Sequence, residues 1–198
     1  MGEHYFSADP AVPFKRLPVR VRIWDKDLVL SSGTGVFAQG RLDPGTAVLL
    51  REVAPPDGGT VLDLGCGYGV IGLAIASVAP ASTVWGVDVN ERALVLANQN
   101  AVALGLADRF RAVTPDAVDE TVQFEEIWSN PPIRIGKPAL HTLLRTWLAR
   151  LAPNGRAVMV VGKNLGSDSL QRWLEEEGYP TTRLASAKGF RVLETRRS

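Results

Sequence analysis

The sequence predicts an α/β fold, with a mostly parallel sheet of seven strands, helices on both faces and an antiparallel pair at one edge. After residue 59, short apolar runs alternate with segments of helical periodicity. The chain then ends on two strand-like runs, TTRLAS and FRVLETR, joined by a tight connection at residues 187–189. The 198 residues are 45% hydrophobic and 22% charged, which suits one sizeable globular domain.

A Pro- and Gly-rich stretch, residues 55–59, predicts a boundary between an N-terminal appendage, residues 1–55, and the main domain, residues 56–198. Within the appendage, VRVRIW (19–24) alternates with a period of two and DLVLSS (27–32) follows it, which predicts a hairpin turning through residues 25–27. LDPGT (42–46) is typical of a turn or a helix cap, so AVLLREV is expected to be helical.

The main domain repeats a strand and then a helix. Its predicted strands are TVLDLG, STVWGVDV, RFRAVT, FEEIWSN, RAVMVVG and the two terminal runs. Its predicted helices are GVIGLAIASVA, residues 91–104, residues 138–151 and SLQRWLEEEG. The helix over 138–151 is the clearest, because six apolar residues fall on one face: Leu140, Leu143, Leu144, Trp147, Leu148 and Leu151.

Composition argues against several classes of protein. A net charge of +1 creates no strong field toward nucleic acid or membrane, although a local basic patch would suffice for RNA. The single cysteine, Cys66, excludes an internal disulfide and a multi-cysteine zinc site, and no metal is expected. No signal peptide or membrane-spanning run is apparent, so the chain is expected to be soluble and cytoplasmic.

The strongest local motif is VLDLGCGYGVIG (61–72), in which Gly65 and Gly67 lie between a strand and a helix. Glycines there let the backbone turn sharply and let a ligand approach it, whether a dinucleotide or a nucleoside. Asp63 lies inside the strand, where its carboxylate is placed either to bind a cationic amino group of the ligand or to anchor the loop. Val70 stands where dinucleotide motifs carry glycine or alanine, which disfavours a nicotinamide dehydrogenase. Cys66 is expected to be a small loop residue and not a nucleophile.

Two further acids follow predicted strands. Asp88 ends the second strand of the main domain, where a carboxylate can accept hydrogen bonds from the ribose of a nicotinamide cofactor or of S-adenosylmethionine. Asp116 follows the third strand in TPDAV and is placed either to meet an adenine amino group or simply to form a turn.

The stretch WSNPPIR (128–134) ends the fourth strand of the main domain with an amide side chain and two prolines. Prolines donate no backbone hydrogen bond and cannot continue a strand. They fix φ, so the carbonyl of Pro131 is expected to be rigid beside the Asn130 amide.

In this order and spacing, VLDLGCGYG, GVDVN and SNPPI resemble the class I S-adenosylmethionine-dependent methyltransferases, which have a Rossmann-like fold. SNPPI is similar to the signature of those that methylate amino or amide nitrogens. GVFAQGRLDPGT (35–46), SNPPIRIGK (129–137) and KGFRVLE (188–194) resemble the small-domain enzymes. These include the bacterial small-subunit ribosomal RNA guanine-N2 methyltransferases and compact, single-domain archaeal relatives. The resemblance implies S-adenosyl-L-methionine as cofactor and RNA, expected to be ribosomal, as substrate.

The resemblance also implies roles for individual residues. The Asn130 side-chain oxygen and the Pro131 carbonyl would accept the two N–H bonds of the target amino group, while Pro132 adds rigidity and Ile133 packs on the flipped base. The residues expected to bind the cofactor are Asp63, Gly65, Cys66, Gly67, Asp88, Val89, Asp116 and Asn130. Those expected to bind the substrate are Phe37, Ile133 and Arg134. For Phe37, a place in the core is an equal alternative. For Arg134, as for Lys137, the alternative is an exposed loop residue in contact with solvent.

Other functions stay open on the sequence alone. Related Asn-Pro-Pro enzymes methylate a protein glutamine amide, DNA adenine or small molecules, and Ile133 disfavours the first because those enzymes usually carry tyrosine there. A nucleoside-binding module without catalysis predicts cofactor binding but no methyl transfer. The oligomeric state, monomer or dimer, is open.

Overall fold

The structure, a computed structural model, describes residues 13–197, and within them it contains nine strands and five α-helices. The strands are β1 (Arg16–Ile23), β2 (Lys26–Gly33), β3 (Gly59–Leu64), β4 (Ser82–Val87), β5 (Phe110–Val113), β6 (Phe124–Ser129), β7 (Leu151–Gly162), β8 (Thr181–Ala187) and β9 (Phe190–Arg196). The helices are α1 (Pro44–Glu52), α2 (Val70–Val78), α3 (Glu91–Ala103), α4 (Lys137–Leu148) and α5 (Ser167–Glu176).

Seven strands form the main sheet in the order β5-β4-β3-β6-β7-β9-β8. The first five of these pair in parallel, whereas β9 runs antiparallel to both β7 and β8. The predicted mostly parallel sheet with an antiparallel edge is therefore confirmed. The chain builds outward from β3 in both directions, so the crevice between β3 and β6 is the switch point where ligands bind in open α/β sheets.

Both faces of the sheet are covered, as predicted. One core joins the hairpin and helices α1, α2 and α3, with Leu49, Leu73 and Leu96 among its fully buried members. The second core lies under α4 and α5, where Leu144 and Leu174 pack on the opposite face of the strands. No helix within residues 13–197 is long and apolar enough to cross a membrane.

The N-terminal hairpin packs on the first core through one face of its strands. Val19 and Leu30 are buried there, while alternate side chains such as Arg20 stay exposed. Its turn consists of Trp24 and Asp25, both with positive φ (46° and 62°), and not of residues 25–27. A two-residue turn of this kind matches the twist of the strands better than a longer one. A separate appendage over residues 1–55 stays a proposal, and its first twelve residues lie outside the described part of the chain.

The helix predicted over 138–151 is shorter in the structure. It ends at Leu148, and Leu151 instead begins β7, opposite Phe124 of β6. Leu151 is fully buried in the same core as Leu144. It continues the apolar spacing of the helix, but it belongs to a strand. The prediction was wrong here because burial on one face does not distinguish the two conformations over a single turn.

Candidate active site

A cleft of about 680 Å³ opens at the carboxyl edge of the sheet. Its floor is made by the residues that follow parallel strands: Gly65 after β3, Asp88 after β4, Asn130 after β6 and Gly162 at the end of β7. Residues far apart in the sequence meet there because parallel strands all end on the same side. The cleft therefore contains the switch point between β3 and β6.

The glycine loop after β3 presents bare backbone to this cleft. Gly65 and Gly67 have φ values of +74° and +53°, which side chains rarely adopt. A Cβ atom built on either residue would meet nothing within 4 Å, so it would point into open space. The N–H groups of Gly65 and Cys66 both donate to the carbonyl of Val87, which ties the loop to β4. The loop thus leaves room for a ligand to approach its backbone closely.

Asp88 holds the same loop from the end of β4. Its Oδ2 accepts from the N–H of Gly67 at 2.9 Å, and its Oδ1 accepts from the N–H of Asn90 at 2.9 Å. Burial raises the pKa of Asp88, and hydrogen bonds from the backbone of Asn90, Gly67 and Val89 oppose that rise. A carboxylate has about four acceptor sites, so Asp88 keeps capacity to accept from a ligand, and it lines the cleft. Val89 beside it also lines the cleft and is 45% exposed, an apolar surface at the mouth.

Asp63 lies beneath the loop and does not line the cleft. It is fully buried, and its Oδ2 accepts from the N–H of Gly72 in α2 at 2.8 Å. Its Oδ1 has no partner within the described residues. Burial raises its pKa to about 7, against the effect of the Gly72 hydrogen bond. This geometry anchors the loop to α2, and a direct contact between Asp63 and a ligand stays a prediction.

Two other predicted cofactor residues differ in placement. Cys66 is buried and lines a small pocket of about 30 Å³ together with Phe37 and Asn130, and burial raises the pKa of its thiol well above the usual range. A thiol held protonated in this way is a poor nucleophile, as expected. Asp116 is exposed in a 3-10 turn, and a hydrogen bond from Thr114 lowers its pKa. Its neighbour Pro115 lines the cleft whereas Asp116 does not, so its contact with adenine stays a prediction.

The Asn130 side chain is held in one orientation at the end of β6. Its Nδ2 donates to Oδ1 of Asp43 at 2.7 Å and to Oγ1 of Thr46 at 3.0 Å. An ionised carboxylate can only accept hydrogen bonds, so the amide nitrogen must face Asp43. The Asn130 oxygen is left as an acceptor at the cleft, with no donor reaching it from residues 13–197.

The two prolines form a tight turn directly after Asn130. Pro132 has φ −75° and ψ 68°, and the N–H of Ile133 donates to the Pro131 carbonyl at 2.8 Å. This is the geometry of an inverse γ-turn. One lone pair of the Pro131 carbonyl is used within the turn and the second is available to a ligand. Pro131, Pro132 and Ile133 all line the cleft.

At the outer end of the cleft, Phe37 is 43% exposed and lines the mouth, so it is not a core aromatic. Arg134 is exposed and lines the cleft, whereas Lys137 is exposed at the start of α4 and does not. Asp43, in the LDPGT turn, also lines the cleft, as do four residues that the sequence did not predict there: Leu143, Trp147, Leu165 and Phe190. The rule that ligands bind beyond the carboxyl ends of parallel strands points to Leu165, which lies just after β7.

Within residues 13–197, no group of three or more His, Cys, Asp or Glu side chains could hold a metal ion. The sequence of residues 27–194 matches the family model of the methyltransferase small domain. This chain belongs to the methyltransferase small domain family. It is an S-adenosylmethionine-dependent methyltransferase, and its cleft fits that cofactor. The open glycine backbone leaves space for the ligand, and Asp88 offers free lone pairs to a ribose.

This methyltransferase has similar relatives of two lengths. It is 33% identical over 200 residues to the uncharacterized protein YbxB of Bacillus subtilis, with all of both chains covered. It is 35% identical over 179 residues to ribosomal RNA small subunit methyltransferase C of Pseudomonas aeruginosa, with 88% of this chain and 52% of the relative covered. The chain therefore spans about half the length of the curated ribosomal RNA methyltransferases that it matches.

A solved structure agrees with the second relationship. The methyltransferase superposes with a TM-score of 0.82 on the Thermus thermophilus 16S rRNA N2 G1207 methyltransferase RsmC in complex with AdoMet and guanosine. The two chains are 26% identical, and the match covers 96% of this chain and 52% of the other.

Proposed function

We propose that this methyltransferase transfers a methyl group from S-adenosylmethionine to the exocyclic N2 amino group of a guanine in ribosomal RNA. The observation that carries the proposal is the fixed orientation of Asn130, which leaves its oxygen as an acceptor beside the Pro131 carbonyl. The similarity to a guanosine-bound RNA methyltransferase supports guanine as the target. The similarity to ribosomal RNA small subunit methyltransferase C supports ribosomal RNA as the substrate.

The two acceptors, Asn130 and Pro131, would overcome the low reactivity of the target amino group. The lone pair of an exocyclic amino group is delocalised into the base, so the nitrogen is a poor nucleophile. Two acceptors aimed at its two N–H bonds localise that lone pair on the nitrogen, and Asn130 and Pro131 supply them. Because both acceptors are held by the fold before the substrate binds, little reorganisation is needed in the transition state.

The glycine loop and Asp88 would hold S-adenosylmethionine, which would supply an electrophilic methyl group on a sulfonium. The amino nitrogen held by Asn130 and Pro131 would accept that methyl group as the carbon–sulfur bond breaks, and would release one proton to water. Ile133 and the exposed ring of Phe37 offer apolar surfaces to the faces of a base in the cleft. Pro132 keeps the acceptor carbonyl rigid throughout.

A methyl-transfer assay tests the proposal. The protein is incubated with methyl-labelled S-adenosylmethionine and, separately, with total RNA, ribosomal subunits and cell protein from a strain lacking the gene. We expect label in RNA that digests to N2-methylguanosine. Label only in protein, or in no acceptor, would overturn the proposed substrate.

A pair of asparagine variants links the activity to the site. Asn130→Ala should reduce transfer by about 10²-fold or more while leaving the affinity for S-adenosylmethionine near wild type. Asn98→Ala removes an amide that bonds only the backbone of Ala112, outside the cleft, and should retain transfer in the folded fraction. Equal losses of transfer and of cofactor affinity in Asn130→Ala would refute its role as an acceptor.

A further inference from the structure

Charge is divided along the carboxyl edge of the sheet. The strand order places Asp116, after β5, and Asp88, after β4, on one side of Asn130. It places Lys163, after β7, and Lys188, just before β9, on the other side. The acidic side carries the residues assigned to the cofactor. The basic side begins where the target amino group would enter.

Five cations at or near the mouth of the cleft are exposed. We define the basic rim as Arg41, Arg134, Lys137, Lys163 and Lys188, all exposed. Arg41 and Arg134 line the cleft, and Lys163 directly follows the lining residue Gly162. Among the residues that the structure describes, none of the five side chains makes an ion pair or a hydrogen bond.

Lys163 and Lys188 are brought together by the backbone. The N–H of Lys163 donates to the carbonyl of Gly189 at 2.8 Å, and Gly162 lies opposite Phe190 in the register of β7 and β9. The two lysines therefore flank one end of the cleft mouth, although they are 25 positions apart in the sequence.

Several arginines elsewhere on the surface are paired, whereas Arg172 of α5 is exposed and has no partner among the described residues. Arg145 lies 2.6 Å from Glu177, and Arg183 lies 2.9 Å from Asp168. The hairpin carries two exposed cations that have no partner within residues 13–197, Arg20 on its outer face and Lys26 at its turn, but neither lines the cleft. Binding of a polyanion at the basic rim would therefore not require any ion pair of the rim to break.

We infer that the basic rim binds the phosphates of the single-stranded RNA segment flanking the target nucleotide. The inference rests on the proposed function and adds where the RNA strand lies. A base that enters a cleft is turned out of its strand, so the neighbouring phosphates remain at the mouth. With a net charge of only +1, attraction must come from local cations. The acids of the cofactor side repel phosphate and direct the strand across β6, β7 and β9.

The test compares two double variants that each lose two positive charges. Lys163→Gln with Lys188→Gln removes two cations of the rim, and Arg20→Gln with Lys26→Gln removes two from the hairpin. Affinity for a fluorescent single-stranded RNA carrying one guanine is measured across a salt series. For the rim variant we expect affinity at low salt to fall about tenfold and the magnitude of the salt slope to fall by about 1.4, or 0.7 per phosphate contact. The hairpin variant should stay near wild type.

Methyl transfer by the same proteins separates the inference from the proposed function. The rim variant should raise the KM for RNA and leave the affinity for S-adenosylmethionine unchanged. If wild type methylates RNA but the rim variant keeps its salt slope, or both variants lose affinity equally, the rim inference is overturned and the function stands. If wild type neither binds nor methylates RNA, or labels only protein, both are overturned.

Discussion

The amide nitrogen of Asn130 lies 2.7 Å from Oδ1 of Asp43, a residue 87 positions earlier in the chain. The same oxygen accepts from the N–H of Thr46 at 2.9 Å and caps the N-terminus of α1. One carboxylate therefore begins a helix and also determines which end of the Asn130 amide faces the cleft. The proposed acceptor therefore depends on how α1 packs against β7 and β9.

Replacing Asp43 should separate its two roles. In Asp43→Ala we expect kcat for methyl transfer to fall by up to about 100-fold, because Asn130 is then held by Thr46 alone. The lost cap should lower the free energy of unfolding by about 1 kcal/mol. Asp43→Asn keeps an oxygen at the same position and is an equally good cap, so it should retain most activity and stability. Single-turnover kinetics and urea unfolding measure the two effects, and equal activity of both variants would contradict the orienting role.

Asp88 and Asp116 should differ in their effect on cofactor affinity. Asp88→Ala removes acceptors from Gly67 and Asn90 and from the cleft, so the Kd for S-adenosylmethionine should rise by about tenfold or more. Asp116→Ala changes an exposed residue that does not line the cleft and should have a smaller effect. Titration calorimetry provides the comparison. A larger loss in Asp116→Ala would place the adenine contact at the 3-10 turn instead.

Gly65 can be tested against a glycine that has the same constraint elsewhere. Gly65 and Gly178 have φ values of +74° and +87°, and a Cβ on either would meet no atom within 4 Å. Alanine at each position should therefore cost a similar 1–2 kcal/mol, roughly, in free energy of unfolding. Only Gly65→Ala should also lose cofactor binding, because its Cβ points into the cleft. Thermal unfolding with and without S-adenosylmethionine distinguishes them, and an equal ligand-induced rise in Tm would argue against the glycine cradle.

Asp63 should make stability depend on pH. Its pKa in the folded protein is about 7, against 3.8 ordinarily, because burial disfavours the carboxylate. The folded state then binds the proton more tightly than the unfolded state. The protonated Asp63 carboxyl therefore stabilises the folded state fully below about pH 3.8, and this contribution to the free energy of unfolding is lost as the pH rises through about 7. Asp63→Asn does not titrate, so relative to wild type its free energy of unfolding should increase between pH 4 and pH 8, by up to about 4 kcal/mol.

Chemical unfolding of wild type and Asp63→Asn across that pH range measures the difference. A difference that stays constant with pH would mean that Asp63 is ionised throughout in the folded protein. A difference that moves the other way would require a partner for Oδ1 that lowers its pKa.

Features that depend on local patterns could be predicted from the amino-acid sequence. Alternating apolar runs and helical periods located the strands and helices, and the two terminal runs predicted the antiparallel edge. Gly65 and Gly67 were identified because only glycine adopts such φ values readily. Asn130 and Pro131 were identified by a motif that is contiguous along the chain.

Contacts between residues distant in sequence could be identified only in the folded protein. No spacing rule connects Asp43 with Asn130, because their contact depends on α1 packing against β7 and β9. The basic side of the cleft likewise depends on β9 lying beside β7, which brings Lys188 next to Lys163. Local periodicity indicates which side chains are buried, but it does not indicate which residues they pack against. The strand order, the residues in contact and the orientation of the Asn130 amide therefore depend on how the whole chain packs.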